Sequence, residues 1–274
     1  GRPRPAKADL DSVHELNPWR SQYAAEYHFV MGEYEAAWNC FDRLANAAPE
    51  WRSKSFSLKA CLLFECGQDQ SAMRLLRAGI AYDSARERLA PNLPGKYLLL
   101  ASAALRAASL HTAAVEAQAA AQAGGEAATL LRAARLLCEA GDRTTAMQLA
   151  ARTSAAPAYP VFQALRLRYE AALANQPARV VALLRDAQKL SPAGNPLYQL
   201  AQVFDRQGDS DRARQIWLDL ILYPARYWLE PERRDPAIFR DAVTCAARSD
   251  PAAAARLRAL DAAGQRLAPL AERG

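Results

Sequence analysis

The feature that most restricts the fold of this chain is a turn that recurs about every 34 residues. Its clearest copy is the stretch 195–220, which begins with Asn-Pro and continues with apolar residues at helical spacing. The turn Gly208-Asp209-Ser210 follows, and after it comes a second set of apolar residues at helical spacing. Asn caps helices, Pro is tolerated at the first helical position, and Gly supplies the backbone freedom to end a helix. The stretch therefore predicts two helices joined by a tight turn. Such a hairpin cannot bury both sets of apolar residues alone, so it requires further copies.

Comparable turns occur along most of the chain. Their positions are separated by 35, 42, 32, 34 and 33 residues: Gly32, Gly67, Ser109, Gly141, Asn175 and Gly208. Five residues after each position stands a small side chain, alanine in every copy except Val180, and in the third copy this residue is Ala114. A small residue at a fixed point lets two helices approach closely. Self-similarity near 34 residues therefore predicts a stack of helical hairpins.

Composition supports an all-α fold, because the strong helix formers Ala, Leu, Arg and Gln are prominent and apolar residues do not alternate at period two. We predict a flexible basic lead-in over 1–15, where two X-Pro units favour extended backbone. A helical repeat array follows over 16–222, interrupted by an insertion at 81–95. Residues 223–274 are predicted to form a proline-punctuated linker and C-terminal capping helices.

Charge and cysteine content set weaker limits. The 35 basic and 29 acidic residues give a net charge of +6, which permits an acidic partner but lacks the concentrated basic footprint of nucleic-acid-binding proteins. Five irregularly spaced cysteines without a Cys-x-x-Cys pair favour buried, reduced thiols and a cytoplasmic location; a periplasmic one is the alternative if an upstream signal or anchor was removed. The sequence contains no run of about 18 apolar residues, so we predict no membrane-spanning segment. The high Ala and Arg content suggests a GC-rich bacterial source.

The hairpins resemble the tetratricopeptide repeat (TPR) family over residues 18–222. The resemblance is carried by the Gly-Glu and Gly-Asp turns, by the small residue five positions on, and by Pro49 and Pro192 after second helices. It implies a right-handed α-solenoid of about six TPR-like hairpins with C-terminal capping helices. The repeats are divergent, because the Trp-x-x-Leu-Gly start of an ideal repeat is absent. RNA-binding pentatricopeptide repeats and a globular helical bundle are the alternative folds.

The resemblance also implies a concave groove, lined by fixed positions of the first helix in each repeat. Aromatic anchors, cations and amides occupy these positions, and this mixture would suit an extended or helical peptide bearing carboxylates. Each side chain could instead pack between repeats. The implied partner-binding residues are Trp19, Gln22, Glu26, Phe29, Lys54, Phe64, Lys96, Arg106, Arg135, Phe162, Tyr169, Tyr198, Gln202 and Asp205.

Catalytic motifs do not appear in the sequence. His14, His28 and His111 form no metal-ligand pattern, the Gly pair at 124–125 ends a helix rather than cradling a phosphate, and no serine lies in a nucleophile elbow. We therefore expect no enzyme activity, no cofactor and no metal. The expected function is a non-catalytic scaffold that binds a protein or peptide segment in its groove and aids assembly of a larger complex. A sensory or regulatory TPR domain of a longer or membrane-anchored protein is the alternative, and RNA binding is a third.

Overall fold

All regular structure in the described part of the chain is helical. The computed structural model describes residues 18–154, 159–191, 194–222, 235–248 and 250–272. Within these ranges it contains fourteen α-helices, one 3-10 helix and no strand, so the predicted all-α class is confirmed. The predicted lead-in, 1–15, and most of the predicted linker, 223–234, lie outside the described residues.

The α-helices are numbered in chain order, and a 3-10 helix, Glu87–Asn92, lies between the fourth and fifth within the predicted insertion. Their bounds are α1 Pro18–Met31, α2 Tyr34–Ala45, α3 Pro49–Glu65, α4 Asp69–Ser84, α5 Leu93–Arg106, α6 Leu110–Ala123, α7 Ala127–Glu139, α8 Arg143–Ala151, α9 Pro160–Leu173, α10 Pro177–Leu190, α11 Gly194–Arg206, α12 Ser210–Leu222, α13 Ile238–Ala246 and α14 Pro251–Ala271. Helices joined by a short turn pack on each other, and α7 also packs against α5 and α9.

Five turns between paired helices share one backbone geometry. The N–H of a left-handed residue donates to the carbonyl three residues earlier, and the next N–H donates to the carbonyl five residues before it. This pairing satisfies the last carbonyls of the preceding helix. The left-handed residues, with φ between 55° and 96°, are Gly32, Gly67, Ala108, Gly141 and Gly208.

The third and fifth turns differ from their predicted form. Ala108 holds the left-handed position that was predicted for Ser109, so the third turn begins one residue earlier. The fifth turn, predicted at Asn175, has extended backbone at Ala174 and leads into Pro177 at the start of α10. Proline fixes the entry into that helix, so no left-handed residue is needed there.

An alanine stands five residues after each left-handed residue and is fully buried. These residues are Ala37, Ala72, Ala113, Ala146 and Ala213, each 0% exposed. In the third copy Ala113 replaces the predicted Ala114, in keeping with the shifted turn. A larger side chain at this point would push the paired helices apart, so the alanine fixes their close approach.

The last two helices return to the beginning of the chain. α13 packs against α3, α11 and α12, while α14 packs against α2, α3 and α4. The approach is close, because a Cβ on Gly264 of α14 would lie 2.5 Å from the carbonyl oxygen of Cys66 in the α3–α4 turn. Glu65 at the end of α3 accepts a hydrogen bond of 2.8 Å from the Arg240 backbone N–H in the first turn of α13. The series of helix-to-helix contacts along the chain therefore closes on itself, because the last helices pack against the first ones.

The apolar interior follows this closed series of contacts. One cluster joins residues of α1–α5 with residues of α9–α14, and Phe29 of α1 meets Phe239 of α13 edge to face with 5.3 Å between ring centroids. A second cluster fills the space among α5–α9. Residues more than 200 positions apart thus share one core.

Candidate functional site

An open cleft of about 960 Å³ lies among α5, α7, α9 and α11, and residues 235 and 236 border it. Its apolar lining includes Leu105, Leu136 and Val203, and its polar lining includes the amides of Gln199 and Gln202. Clefts of a few hundred to about 1,000 Å³ with an apolar lining and a few fixed polar groups are typical of ligand sites. This cleft is therefore the candidate functional site.

Four arginines line the cleft, and three of them, one from each of three neighbouring helices, pair with carboxylates. Arg106 ends α5, Arg135 lies in α7, and Arg168 lies in α9. Arg106 forms an ion pair with Asp241 of α13 and donates to the Tyr198 hydroxyl at 3.3 Å. The Tyr198 hydroxyl in turn donates to Asp241 at 2.6 Å. Arg106 thus connects α5 and α11 with α13.

The other two of these three arginines share one carboxylate. Asp235 accepts from Arg135 at 2.6 Å through one oxygen and from Arg168 at 3.0 Å through the other. Arg135 also donates to Glu139 at 2.9 Å, and the backbone N–H of Asp235 donates to Asn195 at 3.0 Å. The side chains of Arg135, Arg168 and Asp235 are at most 10% exposed. Buried charges are tolerated when they are paired in this way.

The charges of this cluster balance one another. Burial alone would favour the neutral acid, but the guanidinium groups of Arg135 and Arg168 hold the pKa of Asp235 below its usual value. Burial also opposes the charge on Arg135, yet Asp235 and Glu139 raise its pKa above the usual value. Burial and the neighbouring Arg135 lower the pKa of Arg168 to about 10, so it stays charged at neutral pH. Two cations and two anions therefore meet at the cleft floor.

Tyr198 remains a neutral hydrogen-bond donor. Burial and the nearby carboxylate of Asp241 raise the pKa of the Tyr198 hydroxyl well above its usual value. For Arg106 burial acts against the charge, but Asp241 raises the pKa above the usual value. These groups connect α5, α11 and α13 through hydrogen bonds and an ion pair.

Five of the residues implied by the resemblance line this cleft together: Arg106, Arg135, Tyr198, Gln202 and Asp205. Asp205 lies at the end of α11 and accepts a hydrogen bond of 2.9 Å from the Trp217 indole. Arg168 and Asp235 were missed at the sequence level. Arg168 stands 33 residues after Arg135, so the repeat spacing could have found it. Asp235 gave no local signal, because its place depends on the docking of distant helices.

Four other implied residues lie in the protein interior. Phe29 and Phe64 are 1% and 0% exposed and belong to the apolar cluster that includes α13 and α14. Tyr169 is buried in the second apolar cluster. Lys96 is 1% exposed, and its ammonium donates to Asp83 at 2.6 Å and to Ser53 at 2.9 Å. These side chains stabilise the fold, and the structure gives a partner no open path to them.

The remaining implied residues do not line the cleft. Gln22 is buried, while Glu26, Lys54 and Phe162 are half-buried. The Lys54 ammonium lies 5.4 Å from the centre of the Trp51 ring. The side chain of Trp19 lies outside the described residues. The implied partner-binding residues are therefore spread over the open cleft, the buried interior and partly exposed positions.

The described ranges contain neither a metal-binding cluster nor a membrane-spanning helix. No group of His, Cys, Asp and Glu side chains in those ranges is arranged to hold a metal ion. None of the described helices combines the length and the apolar character that a bilayer crossing requires.

Compared with known proteins, the chain matches no family model, and no curated protein matches it either. The cleft and its chemistry are therefore the basis for assigning a function.

Proposed function

We propose that this chain is a non-catalytic interaction scaffold that binds a protein or peptide segment in the cleft among α5, α7, α9 and α11 and helps assemble a larger complex. The proposed architecture is a right-handed α-solenoid of about six divergent TPR-like hairpins, and its C-terminal helices return to the first two hairpins. The recurring left-handed turn and the buried alanine five residues later support that architecture.

The observation that carries the proposal is the lining of the cleft. Leu105, Leu110 and Val180 are not fully buried and offer apolar surface for a side chain, and the Gln202 amide can both donate to and accept from a peptide backbone. Arg106, Arg135 and Arg168 are already paired with carboxylates, which suits positioning better than proton transfer. A preformed apolar cleft with a few hydrogen-bonding groups favours binding of a segment over catalysis.

A substitution that fills the cleft tests this function. Gln202 is half-buried in the cleft, so Gln202→Trp inserts a large ring there, whereas Gln148→Trp makes the same change on the exposed side of α8. Both variants are expected to retain the helical content of the parent chain. Binding is measured by affinity capture from a native lysate, and the captured proteins are quantified by mass spectrometry. We expect Gln148→Trp to retain the proteins that the parent chain captures, and Gln202→Trp to capture at least ten-fold less of them. Equal capture by the two variants would refute the assignment to the cleft.

A further inference from the structure

Asp235 occupies its position in the cleft much as a ligand would. It bridges Arg135 and Arg168, which come from two different helices, and it lies in a non-helical stretch ahead of α13. Together the two buried guanidinium groups and the open cleft beside them form a built anion site, because Arg is the residue best suited to bind carboxylates.

Asp235 does not satisfy every hydrogen-bond donor of this anion site. Arg135 donates one Nη to Glu139 and the other to Asp235, while its buried Nε–H has no hydrogen-bond partner. A guanidinium binds a carboxylate most strongly through two parallel N–H groups, and Asp235 offers each arginine only one oxygen. A carboxylate free to choose its orientation could therefore make at least as many hydrogen bonds as Asp235 makes.

The backbone beside Asp235 is strained, whereas α13 is anchored independently. Ala237 is buried with φ of 58°, a left-handed conformation that is unfavourable for alanine. α13 is held by the hydrogen bond from its Arg240 N–H to Glu65 and by the contact of Phe239 with Phe29. Ala237 itself stays with α13, because its carbonyl accepts from the Asp241 N–H at 3.0 Å. Asp235 and Pro236 can therefore leave the cleft floor while α13 remains docked.

We propose that Arg135 and Arg168 form a carboxylate subsite of the cleft, that Asp235 fills it in the free chain, and that a carboxylate of the bound protein segment replaces Asp235. This inference rests on the proposed function and adds the ligand chemistry: the partner segment is acidic at the residue that reaches the cleft floor. Asp235 then acts as a tethered competitor, so a partner without such a carboxylate binds more weakly.

The test uses the full chain and small probes of defined charge. In Asp235→Ala the subsite is vacated; Asp186→Ala removes an exposed carboxylate of α10 as the matched control. The probes are N-acetyl-aspartyl amide, its neutral counterpart N-acetyl-asparaginyl amide, and N-acetylalanine, whose carboxylate is a chain terminus. Binding is followed by the NMR shifts of the arginine Nε–H groups at constant ionic strength and neutral pH.

We expect an acidic probe to shift the Arg135 and Arg168 signals of Asp235→Ala with at least ten-fold higher affinity than those of the parent chain and of Asp186→Ala. The acidic probe that binds more tightly identifies a side-chain or a terminal carboxylate as the source. Equal affinity of Asp235→Ala for acidic and neutral probes would overturn the proposal.

Folding of the variant is checked first, and Asp235→Asn, which keeps the side-chain volume, replaces it if needed. If neither variant folds, Asp235 is a structural requirement rather than an exchangeable occupant, which also overturns the proposal. The proposed function is tested separately, because the Gln202→Trp comparison leaves Asp235 unchanged.

Discussion

Removing the ammonium of Lys96 should destabilise the protein strongly, although lysine is usually a surface residue. The Lys96–Asp83 ion pair is 1% and 0% exposed at its two side chains, with 2.6 Å between nitrogen and oxygen. Lys96→Met keeps most of the aliphatic chain, so packing against Gly79 is largely retained. The variant leaves Asp83 as a buried anion, and the second oxygen of this carboxylate already lacks a hydrogen-bond partner.

The expected cost follows from this burial. Breaking one side of a buried ion pair typically costs about 3–5 kcal/mol, because the remaining charge has lost both water and its partner. For a chain of this size the loss corresponds to a fall in Tm of roughly 6–20 °C. Replacing both partners, as in Lys96→Met/Asp83→Ala, removes the uncompensated charge and should cost less than either single change.

Urea denaturation followed by circular dichroism measures these differences. The exposed pair Lys189–Asp186, at 76% and 56% side-chain exposure, provides the control, and Lys189→Met should change stability by less than about 1 kcal/mol. A loss below about 1 kcal/mol for Lys96→Met, or a double variant as unstable as the sum of the single variants, would refute the argument that the pair is buried and coupled.

Two further substitutions test other parts of the structure. Burial, partly offset by Gln22 and Lys54, raises the pKa of Glu26 from 4.5 to about 7, so the folded chain holds a proton that the unfolded chain releases between these values. Stability should therefore fall as pH rises from about 4.5 to 7, and Glu26→Gln should remove roughly 1–2 kcal/mol of that fall, a figure discounted for partial exposure. Gly264→Val should weaken the docking of α14 by about 1–3 kcal/mol, because its Cβ would meet the Cys66 carbonyl oxygen at 2.5 Å. Denaturation across pH measures the first effect, and amide hydrogen exchange in α14 measures the second.

Each of these substitutions has an internal control. Below pH 4.5 both the folded and the unfolded chain carry a protonated Glu26, so Glu26→Gln should then match the parent; an equal stabilisation at every pH would contradict the titration. Gly125→Ala adds a methyl group where nothing lies within 4 Å, and it should leave α14 exchange unchanged. Unaltered α14 exchange in Gly264→Val would show that this contact is not tight.

Local features of the fold could be predicted from the sequence because local chemistry determines them. Gly32 and Gly208 end helices where the spacing of apolar residues requires a stop, and the alanine five positions on marks the close approach of paired helices. The third turn was misplaced because alanine rarely adopts a left-handed conformation, so Ser109 looked like the better turn residue than Ala108. Surrounding packing outweighs that preference.

The closure of the chain could not be predicted, because it depends on contacts between distant residues. Lys96 and Phe64 stand at positions that line an open groove in the tetratricopeptide repeats that the hairpins resemble. In this structure Lys96 pairs with Asp83, and Phe64 is buried in the apolar cluster that includes residues of α13 and α14. A single hint was present in the sequence: Gly264 interrupts an Ala-rich helix, and glycine inside a helix often marks close backbone approach. Within the cleft, the arginines could be read from repeat spacing, whereas the carboxylates that pair with them could not.

The return of α14 to α2 also determines how the chain can fold. Arg266 pairs with Glu35 across 231 positions of sequence, and such contacts form late because a long loop must close first. During synthesis, which proceeds from the N-terminus, the inner side of α1–α3 remains exposed to water until α13 and α14 emerge from the ribosome. The nascent chain therefore carries an apolar surface for most of its synthesis, and an encounter with a chaperone is most useful during that interval.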